Sequence, residues 1–199
     1  MSIKWISGLF GVSLALACTA AQAQTAPCTG LQNCVADGAV RANVTGVTGS
    51  IERGVQKVTV RVSFTNIGKT PLILNYKRGS AKMADENGQA YQIYWSETST
   101  SAVTGIPVST RRKASSQFTL APGQSRAAAF RYERHVGKGV LGTVFEPSLT
   151  VEEYELLPSN ELRLAGEHSL YFGPTRSGVS GAKPAQTLQG LRGMLKKDK

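Results

Sequence analysis

The chain is short of the residues on which most enzymes and metalloproteins are built. Among its 199 residues are only two histidines, His135 and His168, and three aspartates, Asp37, Asp85 and Asp198. The histidines are distant in sequence and no His-Glu-x-x-His occurs, so nothing marks a clustered imidazole metal site. No Gly-x-Ser-x-Gly elbow is present, so no serine is singled out as a nucleophile. Gly68-Lys69-Thr70 carries the last letters of a phosphate loop, but Ser63 stands where its first glycine belongs and the segment joins two strands. No catalytic residue, metal or cofactor is expected. Beyond the first segment no apolar run approaches the roughly 20 residues that span a bilayer, so no transmembrane span is expected in the mature chain.

What is present begins at the N-terminus. Lys4 supplies a positive start, Ile6 to Ala17 is an apolar stretch, and Ala21-Gln22-Ala23 puts small residues at the −3 and −1 positions of a cleavage site. These are the three parts of a secretory signal, predicted to be removed between Ala23 and Gln24. Cys18 follows the apolar run and raises the question of a lipid anchor. Ala15, not leucine, stands three residues before it, so the reading favours loss of Cys18 with the signal. The chain is therefore expected to be exported, to a periplasm first, with secretion or lipid anchoring as alternatives.

Export leaves two cysteines, Cys28 and Cys34, and an even pair in an oxidising compartment reads as a disulfide. The short loop it closes limits its stabilisation to about 2 kcal/mol, a local clip and not a staple across a core. Basic residues outnumber acidic ones by 23 to 13, for a net charge of +10. Such a charge draws an exported protein to anionic surfaces and polymers. Nucleic acid is not an expected partner outside the cell.

Residues 24–43 read as a disulfide-clipped leader, 44–172 as one domain, and 173–199 as a basic tail with a possible short helix at 186–197. Within the domain the period is two. Val58, Val60, Val62 and Phe64 alternate with Thr59, Arg61, Ser63 and Thr65, the pattern of a half-buried antiparallel strand. Asn66 to Pro71 is a turn, with Gly68 expected at positive φ, and Leu72 to Tyr76 begins the next strand. Asn87-Gly88 lies between two extended runs and signals a hairpin. Residues 98–116 read as a long surface loop. Phe118 and Leu120 precede a Pro122-Gly123 turn, after which Ala127, Ala129 and Tyr132 are expected on one side of a strand and Phe130 on the other. Extended stretches at 149–157 and 169–172 complete about seven or eight strands, with no amphipathic helices between them.

The stretches VTVRVSFTNIGKTPLIL at 58–74, DENGQAY at 85–91 and FTLAPGQSRAAAFRY at 118–132 resemble elements of immunoglobulin-like exported bacterial domains of unknown function. The resemblance implies an all-β fold, a single immunoglobulin-like antiparallel β-sandwich, and an envelope compartment. It carries no functional residues across.

Three features are candidates for function. Arg131, Tyr132, Arg134, His135 and Lys138 interleave basic and aromatic residues and form a candidate patch for an anionic ligand. Glu153 and Glu155 would share one face of a strand and are the carboxylate pair that a hydrolase would use. Leu188, Leu191 and Leu195 fall on one face of a tail helix, with Lys196 and Lys197 at its end, and would suit a partner or an anionic membrane surface. The expectation that follows is a non-enzymatic exported sandwich that binds an envelope protein or anionic envelope polymer. An exported carboxylate-based hydrolase and a structural subunit of a surface fibre are the alternatives.

Overall fold

Val58, Val60, Val62 and Phe64 are fully buried along one face of a twelve-residue strand, as their two-residue period predicts. The computed structural model describes residues 28–93, 102–108, 116–136 and 142–178. The export signal with Cys18, the candidate Lys138 and the tail leucines Leu188, Leu191 and Leu195 lie outside the described residues.

The strands in chain order are β1 (Cys34–Asp37), β2 (Val40–Glu52), β3 (Val55–Asn66), β4 (Leu72–Tyr76), β5 (Lys82–Asp85), β6 (Ala90–Ile93), β7 (Val103–Thr104), β8 (Gln117–Leu120), β9 (Ser125–His135), β10 (Val144–Leu156), β11 (Leu162–Tyr171) and β12 (Thr175–Arg176). Every pairing among them is antiparallel. Sheet I runs β1-β2-β3-β9, with β6 and β7 on the far side of β9. Sheet II centres on β10. Its one side takes β4 and β5 in succession, with β8 beyond β4, and its other side takes β11 and β12. The β5–β6 hairpin joins the two sheets along one border. The result is an all-β, immunoglobulin-like sandwich.

The inner faces meet through three ring pairs. Phe64 approaches Phe118 at 6.1 Å between centroids, Tyr76 meets Phe130 edge-on at 5.4 Å, and Tyr91 meets Phe145 edge-on at 5.5 Å. The first two pairs take one ring from each sheet, and the third seals the border where the β5–β6 hairpin passes from one sheet to the other. Tilted and edge-on contacts of this kind add about 1 kcal/mol each to the burial of the rings themselves. Around them pack Val40, Val47, Leu74, Leu120, Val151 and Leu170.

Several elements differ from the sequence reading. The sheet starts at Cys34, not near Val44, because Val40 and Ala42 are core residues and β1 pairs with β2 right behind the Cys28–Cys34 disulfide. It also extends past Phe172 to β12. In β9 Ala127 and Ala129 do face away from Phe130, but Tyr132 shares the inner face with Ala128 and Phe130 and not the side of Ala127 and Ala129. Part of the supposed surface loop enters the core: Ala102, Val103 and Ile106 are buried, and β7 pairs with β9. Gly105 makes that approach possible, since a Cβ there would lie 2.3 Å from the carbonyl oxygen of Ala127. Gly68 is not at positive φ; it is small because a Cβ would meet that of Ala39 at 2.8 Å.

Buried polar groups hold the turns. The side chain of Asn66, fully buried, donates to the carbonyls of Thr70 and Leu120 and accepts from the N–H of Gly68. In the β5–β6 hairpin Asp85 accepts from the N–H groups of Asn87 and Gln89, and Gly88 takes the positive φ that Asn-Gly predicted. Beside it Glu86 accepts from the hydroxyl and N–H of Thr143 and the N–H of Val144. Burial pushes the Glu86 carboxyl up, but the Thr143 hydroxyl and the backbone donors together outweigh it and bring it down to about 2.

Two outcomes are expected. Phe130→Ala removes a ring from the centre of the inter-sheet contact and should cost about 3–5 kcal/mol in a denaturant titration. For Glu86, the unfolded chain takes up the proton first as pH falls, because the folded value lies below the ordinary 4.5. Its contribution is therefore whole above about pH 4.5 and gone near pH 2. The stability difference between wild type and Glu86→Gln, read by denaturant titration, should shrink across that window, and it should stay below about 1 kcal/mol throughout because solvent screens the group.

Candidate ligand-binding surface

Strand alternation divides the residues expected to form a basic patch. Tyr132 points inward and is 1% exposed, a core residue whose phenol burial drives up. Arg131 points outward from the same strand, and His135 is exposed at its end. Arg134 points inward at the mouth of the sandwich. Its guanidinium lies 5.1 Å from the centre of the Tyr91 ring and 3.6 Å from Asp85 Oδ2. The contiguous patch is thus corrected: two of its members are spent on the interior.

Arg134 belongs to a buried polar knot. Tyr91 Oη is 2.6 Å from Gln56 Oε1 and 3.1 Å from Asp85 Oδ2, and its one proton serves that pair of acceptors. Burial pushes the Tyr91 phenol up, which keeps it a donor at neutral pH. Gln56 Nε2 donates to the carbonyl of Gly142 at 2.9 Å. Gly142 is packed so closely on Asp85 that a Cβ would stand 2.5 Å from that carboxylate's Cβ. The knot ties β3, β5, β6 and β9 to the start of β10, and no open space remains in it for a ligand to use.

Glu153 and Glu155 do share a face, the inner one, but a bulge in the β10–β11 register follows Glu153 and each finds a separate partner. Glu155 pairs with Arg163. Glu153 Oε2 lies 2.9 Å from His168 Nε2, and Asp37 of β1 lies 3.2 Å from the other ring nitrogen. The second contact is too far out of line to be a hydrogen bond, which leaves Nδ1 without one. This trio fastens the β1 edge of sheet I to the β11 edge of sheet II. Its carboxylates address opposite ring nitrogens, so they do not converge on one point. Among the described residues no group of three metal-ligating side chains could hold an ion.

The outer faces remain. On sheet I, Arg131 does line an open basin of about 780 Å³ with Arg53, Lys57, Glu52, Glu133 and Thr59. Its charges are mixed, and Lys57 is taken by Glu52 at 2.5 Å. The Arg53-Gly54 turn that forms its rim has both residues at positive φ.

The outer face of sheet II has a different character. Between β4 and β5 the chain leaves β10 at Lys77 and rejoins it at Lys82. Ser80 fills the gap: Thr150 N–H donates to its Oγ at 3.0 Å, and that hydroxyl lies 3.2 Å from the Thr150 carbonyl. The detour makes a basin of about 440 Å³ with Arg78, Ser80 and Lys82 on one bank. Ser148 and Thr150 of β10 form its floor, and Ser169 and Tyr171 of β11 the other bank. The register sets Lys82, Ser148 and Tyr171 in a single cross-strand row. Lys77 closes one end, its ammonium bridged to both oxygens of Glu167 at 2.8 Å. Tyr171, 56% exposed, is braced by donating to Glu146 at 2.9 Å. No carboxylate lines the basin itself. A cationic bank, a hydroxyl floor and an upright aromatic suit a hydroxylated, negatively charged ligand. The sequence showed Lys77 and Arg78 as a basic pair, but nothing in it placed Tyr171 across from them.

Arg134→Ala should destabilise by about 3 kcal/mol in a denaturant titration, because Asp85 would keep a buried charge without its cation. Arg131→Ala, on the outer face, should stay within about 0.5 kcal/mol of wild type.

Comparison with known proteins adds nothing to the fold read from the strand pairings. No family model matches the sequence, and no curated protein matches it. Among solved structures, the structural-genomics target SoR45 aligns at 12% identity and a TM-score of 0.42, over 77% of this chain and 96% of that one. PapD-like domain 7 of human CEP192 aligns at 12% identity and 0.36, over 69% and 85%. An uncharacterized β-sandwich protein of Clostridium difficile aligns at 8% identity and 0.32, over 71% and 90%. At TM-scores below 0.5 these likenesses say nothing of fold family, ligand or activity.

Proposed function

We propose that this protein is an exported, non-enzymatic β-sandwich that binds an anionic polymer of the cell envelope through the basin on the outer face of sheet II. The observation that carries the reading is the cross-strand row Lys82–Ser148–Tyr171 beside Arg78. An acid group of the polymer would meet Lys82 and Arg78, its hydroxyls would meet Ser148, Thr150 and Ser169, and a sugar ring would lie on Tyr171. The export part of the reading rests on the N-terminal sequence and is supported by the Cys28–Cys34 disulfide. The net charge of +10 favours the encounter over a longer range.

A hydrolase based on Glu153 and Glu155 finds no support in the geometry, since each carboxylate is engaged by a neighbour and the two do not confront one another across a cleft.

The test is binding of an acidic oligosaccharide, measured by calorimetry at low and moderate salt. Lys82→Glu with Arg78→Glu should weaken it at least about tenfold, and Tyr171→Ala should weaken it less, with wild-type affinity falling as salt rises. Lys57→Glu on sheet I is the control and should leave affinity near wild type. Equal loss from Lys57→Glu, or no loss from the sheet II variants, overturns the assignment.

A further inference from the structure

Beyond the basin the same outer face turns apolar. The register places Ile73, Tyr154 and Leu164 in one cross-strand row and sets Leu156 opposite Leu162 in a row further out. Past Tyr154 β10 has no partner on the β4 side among the described residues, and the end of the β10–β11 hairpin extends beyond β4. Leu156 is 58% exposed, Leu162 42% and Leu164 49%. The other side of the hairpin holds the Glu155–Arg163 pair. The hairpin is therefore amphipathic, with its greasy side uncovered. Acidic residues border it, Glu152 at its base and Glu161 at its tip, while Glu167 at the base is already paired with Lys77 and Glu155 on the other side with Arg163.

One segment of this chain has the complementary pattern. Leu188, Leu191 and Leu195 recur at helical spacing, with Arg192, Lys196 and Lys197 among them. Gly190 and Gly193 disfavour a free-standing helix, so the stripe needs a surface to fold on.

Reach decides whose tail is concerned. β12 runs antiparallel to β10 and leads away from the hairpin: Arg176 is opposite Val144, and Ser177 N–H bonds to the Thr143 carbonyl. From the level of Gly142 to that of Tyr154 is about 40 Å at strand rise. The ten residues from Gly178 to Leu188 span at most about 36 Å when fully stretched. A molecule's own Leu188 falls short of its own hairpin, and its Leu191 and Leu195 attain it only with those ten residues drawn out straight, whereas a neighbour's tail has no such limit.

We propose that the apolar face of the β10–β11 hairpin is the docking site for residues 186–197 of a second copy of this chain. Reciprocal exchange of two tails closes the pair as a two-fold dimer. Leucines meet leucines, and Arg192, Lys196 and Lys197 meet the acidic border.

The experiment is light scattering with size-exclusion chromatography on the full exported chain at tens of micromolar. Wild type should be a dimer. Leu191→Asn with Leu195→Asn, which touches no residue of the sandwich, should weaken dimerisation at least about tenfold, as should Leu156→Asn with Leu164→Asn. A synthetic peptide of residues 184–199 in excess should convert the dimer to peptide-bound monomer and shift the hairpin amide resonances. A monomeric wild type overturns the proposal, including one whose tail variant perturbs the hairpin signals, which would mean the molecule's own tail occupies the site. A dimer indifferent to the tail variant and to the peptide overturns it as well.

Discussion

Contact between two apolar sheet faces, stapled by ring pairs, is the constraint on which the rest of this molecule depends. Phe64–Phe118 and Tyr76–Phe130 span the gap between the sheets, and Tyr91–Phe145 closes the border where the β5–β6 hairpin crosses it. Edge-on and tilted rings interlock, so the sheets cannot slide without parting a ring from its partner. Because strand side chains alternate, committing one face to the core assigns every intervening residue to solvent. The binding basin is a consequence. Ser148 and Thr150 form its floor because Leu149 and Val151 are needed inside.

Polar groups do a second job, at the places where the two sheets are joined. Asn66 closes the β3–β4 turn onto β8. The knot of Gln56, Asp85, Tyr91 and Arg134 shuts the border where β5 passes to β6. The contact of His168 with Glu153 and Asp37 draws together the opposite border. Each involves a group that would be costly to bury alone, and each group has a neighbour that offsets much of that cost. These charges and amides have structural partners, which leaves the outer faces as the places where a ligand or another molecule can be met.

The outer face of sheet II carries two unlike halves. At the detour between β4 and β5, interrupted pairing lets Arg78, Ser80 and Lys82 rise beside β10. Toward the hairpin the same face exposes leucines that no part of the sandwich covers. A polar ligand and a protein partner would thus occupy neighbouring but separate ground, divided by the Lys77–Glu167 ion pair and the Asn75, Glu152 and Tyr154 hydrogen bonds.

The fold class was legible in the sequence because its signals are local. The alternation from Val58 to Phe64, the Asn87-Gly88 turn and the Pro122-Gly123 turn need only a few adjacent residues to specify backbone and face. The disulfide was legible for a similar reason, with Cys28 and Cys34 close together behind the segment read as a signal. The inward place of Tyr132 was not, since it sits among Arg131, Glu133 and Arg134, a stretch that reads as surface. Nor was the entry of Val103 and Ile106 into the core, which requires a close approach of Gly105 to a strand more than twenty residues on. The candidate site belongs with these. Arg131, Tyr132 and Arg134 are neighbours in sequence and were scattered by the pleat to solvent, core and buried knot. Lys82 and Tyr171 are remote in sequence and were brought to either side of Ser148 by register. Composition and period determined that this chain would make an antiparallel sandwich. Which side chains share a surface was decided only by tertiary pairing, because register is set by strands that lie far apart along the chain.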